Sequence, residues 1–195
     1  MAGNKFDDLK EVAKDLMRSI ELAYGKSIFN EEEWENTPKR VAKMIFEFAR
    51  YQKENLKKFK VFPNPGYDQL IVVGPIKFYS LCSHHLLPYF GEAWVGYLPD
   101  KYICGLSKIS RIVKALFMQP SIQEERTNYI ADFLFEKLKP KFLMIVVKGK
   151  HLCMHMRGVK ENDGWMITSA IRSTEPKSRI TSIKEEFLEI IKYKK

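Results

Sequence analysis

The hydrophobic periodicity of this 195-residue chain changes near residues 60–68, a segment rich in proline and glycine. Before this segment, apolar residues recur at helical spacing over residues 5–24. They do so again after Thr37-Pro38, which has the pattern of an N-cap followed by a first-turn proline. We therefore predict an N-terminal helical portion over residues 1–66 and a second domain over residues 67–195.

The second part of the chain alternates between β-rich and helical runs. The predicted strands cover residues 70–73, 76–81, 90–98, 142–148 and 165–171. The predicted helices cover residues 107–117, 122–138 and 182–193. Strands, then two helices, then two strands and a final helix predict an α+β fold with an antiparallel sheet.

The composition argues against several classes of protein. Charged residues make up 29% of the chain, and no apolar run approaches the roughly 20 residues that span a bilayer. The N-terminus lacks the apolar core of a signal peptide, so we expect a cytoplasmic protein. Three cysteines are too few for a disulfide framework. The net charge of +9 favours anionic partners, although lysine clusters such as residues 57–60 are typical of solvated surfaces.

All four histidines and two of the three cysteines lie in two short segments, LCSHHLLP at residues 81–88 and HLCMHMRG at residues 151–158. Cys82 and His85 have the spacing of a zinc half-site, and Cys153 could supply a third ligand. Three protein ligands leave a fourth position for water, as in catalytic zinc sites. The alternative is a set of buried core residues, because a buried cysteine often serves as a small hydrophobe. We interpret Cys104, which has no histidine neighbour, in that way.

A basic segment, GLSKISR, marks a predicted loop-to-helix boundary. Its Ser107, Lys108 and Arg111 would surround a helix N-terminus, where free N–H groups and the helix dipole favour phosphate. Arg157 follows Cys153 closely and would suit an anionic substrate. The same residues could instead be an N-cap and ordinary surface cations.

The segment Ser121-Ile122-Gln123-Glu124 has two interpretations. It fits the S-x-x-E capping box of a helix N-terminus. Alternatively, Gln123 and Glu124 recognise a polar ring edge, since a carboxylate can accept two N–H bonds from a base such as guanine.

Five motifs together resemble the GTP cyclohydrolase I family in order and spacing. They are NTPKRVAKM, FYSLCSHHLLPYFG, GYLPDKYICGLSKISRIV, SIQEERT and HLCMHMRGV. The resemblance covers about residues 35–190. It implies the conversion of GTP and water to 7,8-dihydroneopterin triphosphate and formate, at the start of pterin, folate or 7-deazaguanine routes. It also implies the tunnelling fold, in which a four-stranded antiparallel sheet carries helices on one face.

The resemblance implies a role for each matching residue. A Zn²⁺ ion would be held by Cys82, His85 and Cys153. Proton transfer would fall to His84 and His151, and guanine binding to Gln123 and Glu124. The triphosphate would be held by Ser107, Lys108, Arg111, Arg157 and Arg40. The subunits would form a homo-oligomer, a decamer of two pentamers with active sites at subunit interfaces. We expect neither a membrane nor a nucleic acid as a partner.

The chain departs from the usual family pattern at a few positions. Ser83 stands where C-E-H-H has glutamate, Met118-Gln119 replaces an arginine pair, and Glu125 replaces the arginine of Q-E-R-L-T. These changes leave open a preference for dGTP or another purine nucleotide. Two further alternatives are a nitrile reductase of 7-deazaguanine metabolism on the same fold, which would need no zinc, and a non-enzymatic, zinc-stabilised nucleotide or nucleic-acid binder.

Overall fold

The computed structural model describes residues 2–192, and side chains from residue 5 onward. The chain separates into two compact units, Met1–Tyr51 and Gln52–Lys195. The division into a helical portion over residues 1–66 and a second domain over residues 67–195 stays a prediction. Within residues 2–192, no helix is both long and apolar enough to cross a membrane.

The first unit contains helix α1, Ala2–Tyr24, and most of helix α2, Glu31–Leu56. The predicted start of α2 at Thr37-Pro38 is wrong, because Pro38 lies inside the helix. The helix is instead capped by Asn30, whose Oδ1 accepts from the Glu33 backbone N–H at 3.0 Å. Glu33 Oε2 in turn accepts from the Asn30 N–H at 2.9 Å, which completes a reciprocal capping box.

The second unit is built on a four-stranded antiparallel sheet. In chain order the strands of this unit are β1 Val61–Pro63, β2 Ile71–Leu81, β3 Pro88–Leu98, β4 Tyr102–Cys104, β5 Phe142–His151 and β6 Met166–Ser173. The main sheet has the order β2-β3-β5-β6, and β1 pairs with β4 in a separate two-stranded ladder. The predicted break at Gly74-Pro75 is a register irregularity inside β2 rather than a strand end, so the two predicted runs are one strand.

In the described part of this unit, four helices follow the first strands. They are α3 Leu106–Phe117, α4 Gln123–Leu138, α5 Leu152–His155 and α6 Lys177–Lys192. The short α5 lies in a segment for which no helix is predicted from the sequence. The last helix begins five residues before its predicted start at Ser182, and the predicted end at Tyr193 lies outside the described residues.

The core forms on both faces of the sheet. On one face, alternate residues of β5 such as Ile145 join a cluster with Ile112 of α3 and Leu134 of α4. On the other face, Met144 joins a smaller cluster with Phe187 of α6. Both faces of β5 are therefore covered, which explains why Phe142–Val147 is a continuous buried apolar run. The predicted α+β fold with an antiparallel four-stranded sheet is confirmed, and α6 adds a helix on the second face.

Candidate active site

The first half of the site is the tight turn between β2 and β3. The Cys82 carbonyl accepts from the backbone N–H groups of His85 at 3.3 Å and Leu86 at 2.8 Å, and the Cys82 N–H donates to Leu87 O at 2.9 Å. Leu86 takes a positive φ of 53°, which lets the chain reverse within these few residues. This turn brings Cys82 Sγ and His85 Nδ1 to 3.9 Å from each other.

The second half of the site lies where β5 passes into α5. His151 is the last residue of β5, and its backbone is extended, whereas Cys153 lies in the helical turn that follows. His151 and Cys153 therefore do not share the face of one extended segment. The helical turn nevertheless brings Cys153 to the first half of the site. One ligand atom each from Cys82, His85 and Cys153 lies within 4.8 Å of the others.

This group of three residues fits a zinc ion in chemistry and size. Tetrahedral zinc with thiolate and imidazole ligands places neighbouring ligand atoms about 3.5–3.8 Å apart. The 3.9 Å separation of Cys82 Sγ and His85 Nδ1 is close to that value. Burial, followed by the neighbouring Cys82 thiol, raises the pKa of the Cys153 thiol. A cation among these atoms would offset both effects, since the thiolate is the form that binds metal.

His84 occupies the position next to the ligand group. Its side chain is exposed, and its ring centroid lies 6.2 Å from that of His85 in an edge-on arrangement. Ser83, also exposed, anchors this turn through its backbone N–H, which donates to Ser121 O at 3.4 Å. His84 is therefore presented to solvent beside the candidate ligand group.

His151 is held from two sides. Tyr89 is its cross-strand partner on β3, so the two side chains share a face, and their rings stack 4.4 Å apart at 6°. On the other side, His151 Nε2 lies 2.9 Å from Gln123 Oε1. Burial lowers the pKa of His151, and the Glu124 carboxylate acts in the opposite direction. The imidazole is thus ordered before any substrate arrives.

The start of α4 decides between the two interpretations of Ser121–Glu124. The N-cap is Ile122, and no side chain in the described part of the chain caps this helix, so the capping-box alternative is wrong. Ser121 Oγ is instead bound by Arg126 Nε at 3.1 Å and lies 3.3 Å from the Tyr89 hydroxyl. Glu124 is exposed in the first turn of α4, and its carboxylate is not used in a capping box.

Gln123 differs from the expectation that its side chain contacts guanine. The residue is fully buried, and both ends of its amide are engaged inside the chain. Of the two predicted guanine-binding residues, only Glu124 has an exposed side chain.

The predicted anion-binding residues of GLSKISR lie in the first two turns of α3. Gly105 is the N-cap, so Ser107 is not, and its hydroxyl is exposed. Lys108 is half-buried, and Arg111 one turn on is exposed. The local geometry that the sequence predicted, a helix N-terminus with nearby cations, is therefore present.

The two remaining predicted arginines lie elsewhere. Arg157 is exposed just after α5, and it lowers the pKa of Cys153 slightly against the larger effects of burial and Cys82. Arg40 belongs to the first unit, where its guanidinium forms an ion pair with Glu32 at 2.7 Å.

Sequence reasoning missed three residues that shape the site: Tyr89, Gly149 and Thr168. Each acts through a contact between distant segments, such as Tyr89 on His151 across the β3–β5 ladder. The sequence offers one signal, Gly149 inside a strand, which often marks a close approach of another group. An added Cβ there would lie 2.2 Å from Gln123 Oε1.

Comparison with known proteins identifies relatives of this chain. The profile of the family described as GTP cyclohydrolase I matches residues 12–192. A protein of Aquifex aeolicus (strain VF5) named GTP cyclohydrolase 1 is 45% identical over 183 residues, covering 94% of this chain and 97% of that protein. The protein of the same name from Wolinella succinogenes is 36% identical over 189 residues, covering 96% of this chain and 100% of its own length. This chain belongs to the GTP cyclohydrolase I family.

Proposed function

We propose that this chain converts GTP and water to 7,8-dihydroneopterin triphosphate and formate. The observation that carries the proposal is the group of Cys82, His85 and Cys153, whose ligand atoms lie within 4.8 Å of one another. This group lies at the turn that presents His84, and Cys153 follows His151 by two residues. The names of the relatives point to the same reaction. The product would enter pterin and folate synthesis or a 7-deazaguanine route.

Zn²⁺ is the metal that this donor set suits best, because two thiols and an imidazole match its ligand preference. Cys82, His85 and Cys153 would hold it. When bound, Zn²⁺ supplies Lewis-acid activation of water at neutral pH. Side chains of this protein would carry out the proton transfers and bind the substrate.

Two histidines would move the protons. Water adds to C8 of guanine as the imidazole ring opens, and His84 would protonate N7 during that attack. Release of formate and rearrangement of the opened ribose need further proton transfers, which His151, at the end of β5, would carry out. Imidazole suits this work because its pKa lies near neutrality.

Glu124 would recognise the guanine ring. Its carboxylate can accept hydrogen bonds from N1–H and from the 2-amino group together. The exposed position in the first turn of α4 leaves both oxygens available. Gln123 precedes it and would support the site from behind, through His151.

The triphosphate would serve as an anchor rather than as a reacting group. Ser107, Lys108 and Arg111 at the start of α3 would bind it, together with Arg157 and Arg40. Binding energy from this remote part of the substrate can position C8 for attack. We further propose a homo-oligomer, a decamer of two pentamers with active sites at subunit interfaces, located in the cytoplasm.

The proposal is tested by product analysis with a matched cysteine control. Purified protein loaded with zinc is incubated with GTP, dGTP and GDP in parallel, and formate and pterin fluorescence after oxidation are measured. Cys82→Ala and Cys153→Ala should lose both bound zinc and product. Cys104→Ala should keep both, because Cys104 lies outside the ligand group. Zinc-loaded protein that releases neither product from any of the three nucleotides would contradict the proposal.

A further inference from the structure

The side chain of Gln123 is enclosed by polar partners that determine which way its amide points. Its Nε2 lies 3.1 Å from Met166 O, 3.4 Å from Val147 O and 3.0 Å from Thr168 Oγ1. Two of these are backbone carbonyls, which only accept hydrogen bonds. The reversed amide would set its own oxygen against both carbonyls, so the NH₂ group must occupy this side.

The hydroxyl groups of Thr127 and Thr168 complete a closed circuit of hydrogen bonds with Gln123, in which each hydroxyl proton has one acceptor. Thr127 Oγ1 donates to the Gln123 backbone carbonyl at 2.7 Å. Its only proton is then used, so Thr168 must be the donor in the 2.7 Å contact between the two hydroxyls. Thr168 Oγ1 is consequently free to accept from Gln123 Nε2. The amide orientation is therefore supported twice, by the carbonyls and by this circuit.

The amide orientation fixes the hydrogen bond to His151. Gln123 Oε1 is an acceptor and lies 2.9 Å from His151 Nε2, so the hydrogen between them belongs to the imidazole. In a neutral imidazole with Nε2–H, the other nitrogen, Nδ1, carries the lone pair. Among the described residues, none forms a hydrogen bond with Nδ1 of His151.

We propose that Gln123 is a positioning residue that locks His151 in the Nε2–H tautomer and leaves Nδ1 as its only lone-pair nitrogen. The tautomer follows from contacts within the chain. The consequence for catalysis rests on the proposed function: Nδ1, and not Nε2, is the atom through which His151 exchanges a proton with the substrate.

A neutral amide suits this role better than a carboxylate would. Oε1 accepts a hydrogen bond from Nε2–H in both the neutral and the protonated imidazole, so the contact survives a proton gained or lost at Nδ1. A glutamate in the same place would turn a carboxylate oxygen toward the carbonyls of Val147 and Met166 and lose both donated bonds. The stacked Tyr89 ring fixes the plane of the imidazole, and the hydrogen bond to Gln123 Oε1 fixes the orientation of the ring within that plane.

The direct test is the tautomer of His151 in the zinc-loaded wild-type protein. Long-range ¹H–¹⁵N correlation on ¹⁵N-histidine-labelled protein distinguishes a pyrrole-type from a pyridine-type nitrogen, and a labelled His151→Gln variant identifies the residue's signals. We expect pyrrole-type Nε2 and pyridine-type Nδ1 at a pH where the ring is neutral. A pyrrole-type Nδ1, or a mixture of the two tautomers, would overturn the proposal.

A second measurement separates positioning from general stability. Gln123→Ala removes the acceptor for the His151 Nε2–H group and should produce mixed tautomers together with a fall in kcat of about tenfold to a hundredfold at unchanged KM for GTP. Thr168→Val removes only one of the three acceptors of Gln123 Nε2. It should keep the Nε2–H tautomer, because the carbonyls of Met166 and Val147 still orient the amide. Ser169→Ala, whose exposed side chain is the next one along β6, is the matched control and should change neither the tautomer nor kcat. An unaltered tautomer in folded Gln123→Ala would contradict the role of Gln123.

The tautomer experiment does not depend on turnover, so the two proposals can fail separately. A protein with the Nε2–H tautomer but no cyclohydrolase product would refute the proposed function and leave the Gln123 lock in place. An active protein with the other tautomer would do the reverse.

Discussion

Substitution of Gly149 by alanine should break the support of His151 without touching a predicted catalytic or metal-binding residue. The new Cβ would lie 2.2 Å from Gln123 Oε1 and 3.2 Å from its Cδ, whereas ordinary contact begins near 3.4 Å. The amide must therefore move by roughly 1 Å in a fully buried site, where packing leaves little free space. A displacement of that size costs Gln123 at least one of its hydrogen bonds, to His151 or to Thr168.

Two magnitudes follow from this displacement. A buried amide group left without a partner costs about 1–3 kcal/mol of folding free energy. Misplacement of a catalytic group by about 1 Å can lower the rate by about 10²-fold. We therefore expect Gly149→Ala to reduce kcat by about that factor, with zinc content unchanged, because the substitution leaves Cys82, His85 and Cys153 in place.

A double-mutant cycle with Gln123→Ala provides the assay. Urea unfolding at one fixed protein concentration and kcat are measured for both single variants and for the double variant. With Gln123 truncated, the two closest contacts of the alanine at position 149 are removed, and the next atom, His151 Nε2, lies at 3.6 Å, an ordinary contact. The double variant should therefore resemble Gln123→Ala. Effects of the two substitutions that simply add, within about 0.5 kcal/mol, would refute the reasoning.

Three further outcomes are expected. Tyr89→Phe should keep the stack on His151 and most of the activity, whereas Tyr89→Leu should lower kcat, as measured by steady-state turnover; equal losses in both would contradict a role for the ring. Burial raises the pKa of Cys104 to about 11 and that of Tyr97 to about 12. Both groups favour their neutral forms in the fold, so their contribution to stability should be complete below about pH 9 and fall as the pH rises toward 11. Urea unfolding across that range should show a smaller loss in Cys104→Ala, and an identical loss would exclude the thiol as its source. Glu124→Gln should raise KM for GTP far more than KM for inosine triphosphate, which lacks the 2-amino group, and parallel changes in the two KM values would contradict its role in guanine recognition.

The sequence predicted what depends on local pattern. Helices α3 and α4 begin and end within one residue of their predicted bounds, because their apolar stripes and flanking turn residues are strong. The proximity of Cys82, His85 and Cys153 was also predicted, since the clustering of histidine and cysteine in two segments is visible without a structure.

The failures come from competition between local signals. In α2, Thr37-Pro38 has the pattern of a helix start. Asn30 and Glu33, which precede it in the chain, nevertheless form the capping box at which the helix begins. Pro38 therefore lies in the interior of the helix rather than in its first turn. Ser121 shows the opposite error: its capping pattern is present, but its hydroxyl binds Arg126 instead.

The contacts around His151 cannot be predicted from the residues near it in the sequence. Gln123 was assigned from a motif to the substrate, and nothing in its neighbourhood along the chain indicates that Val147 and Met166 surround its amide. Those contacts arise only when α4 packs across β5 and β6. Buried polar contacts of this kind depend on tertiary structure, and they decide here which atom of a histidine is free.

The most direct measurement of the central claim is the zinc content and product yield of one preparation of the wild-type protein. We predict about one zinc ion per chain, as expected for one group of three ligands, and formate and the oxidised pterin in equal amounts from GTP. Protein that binds zinc at this level and consumes no GTP, or that turns over GTP equally well after zinc is removed by chelation, would contradict the account.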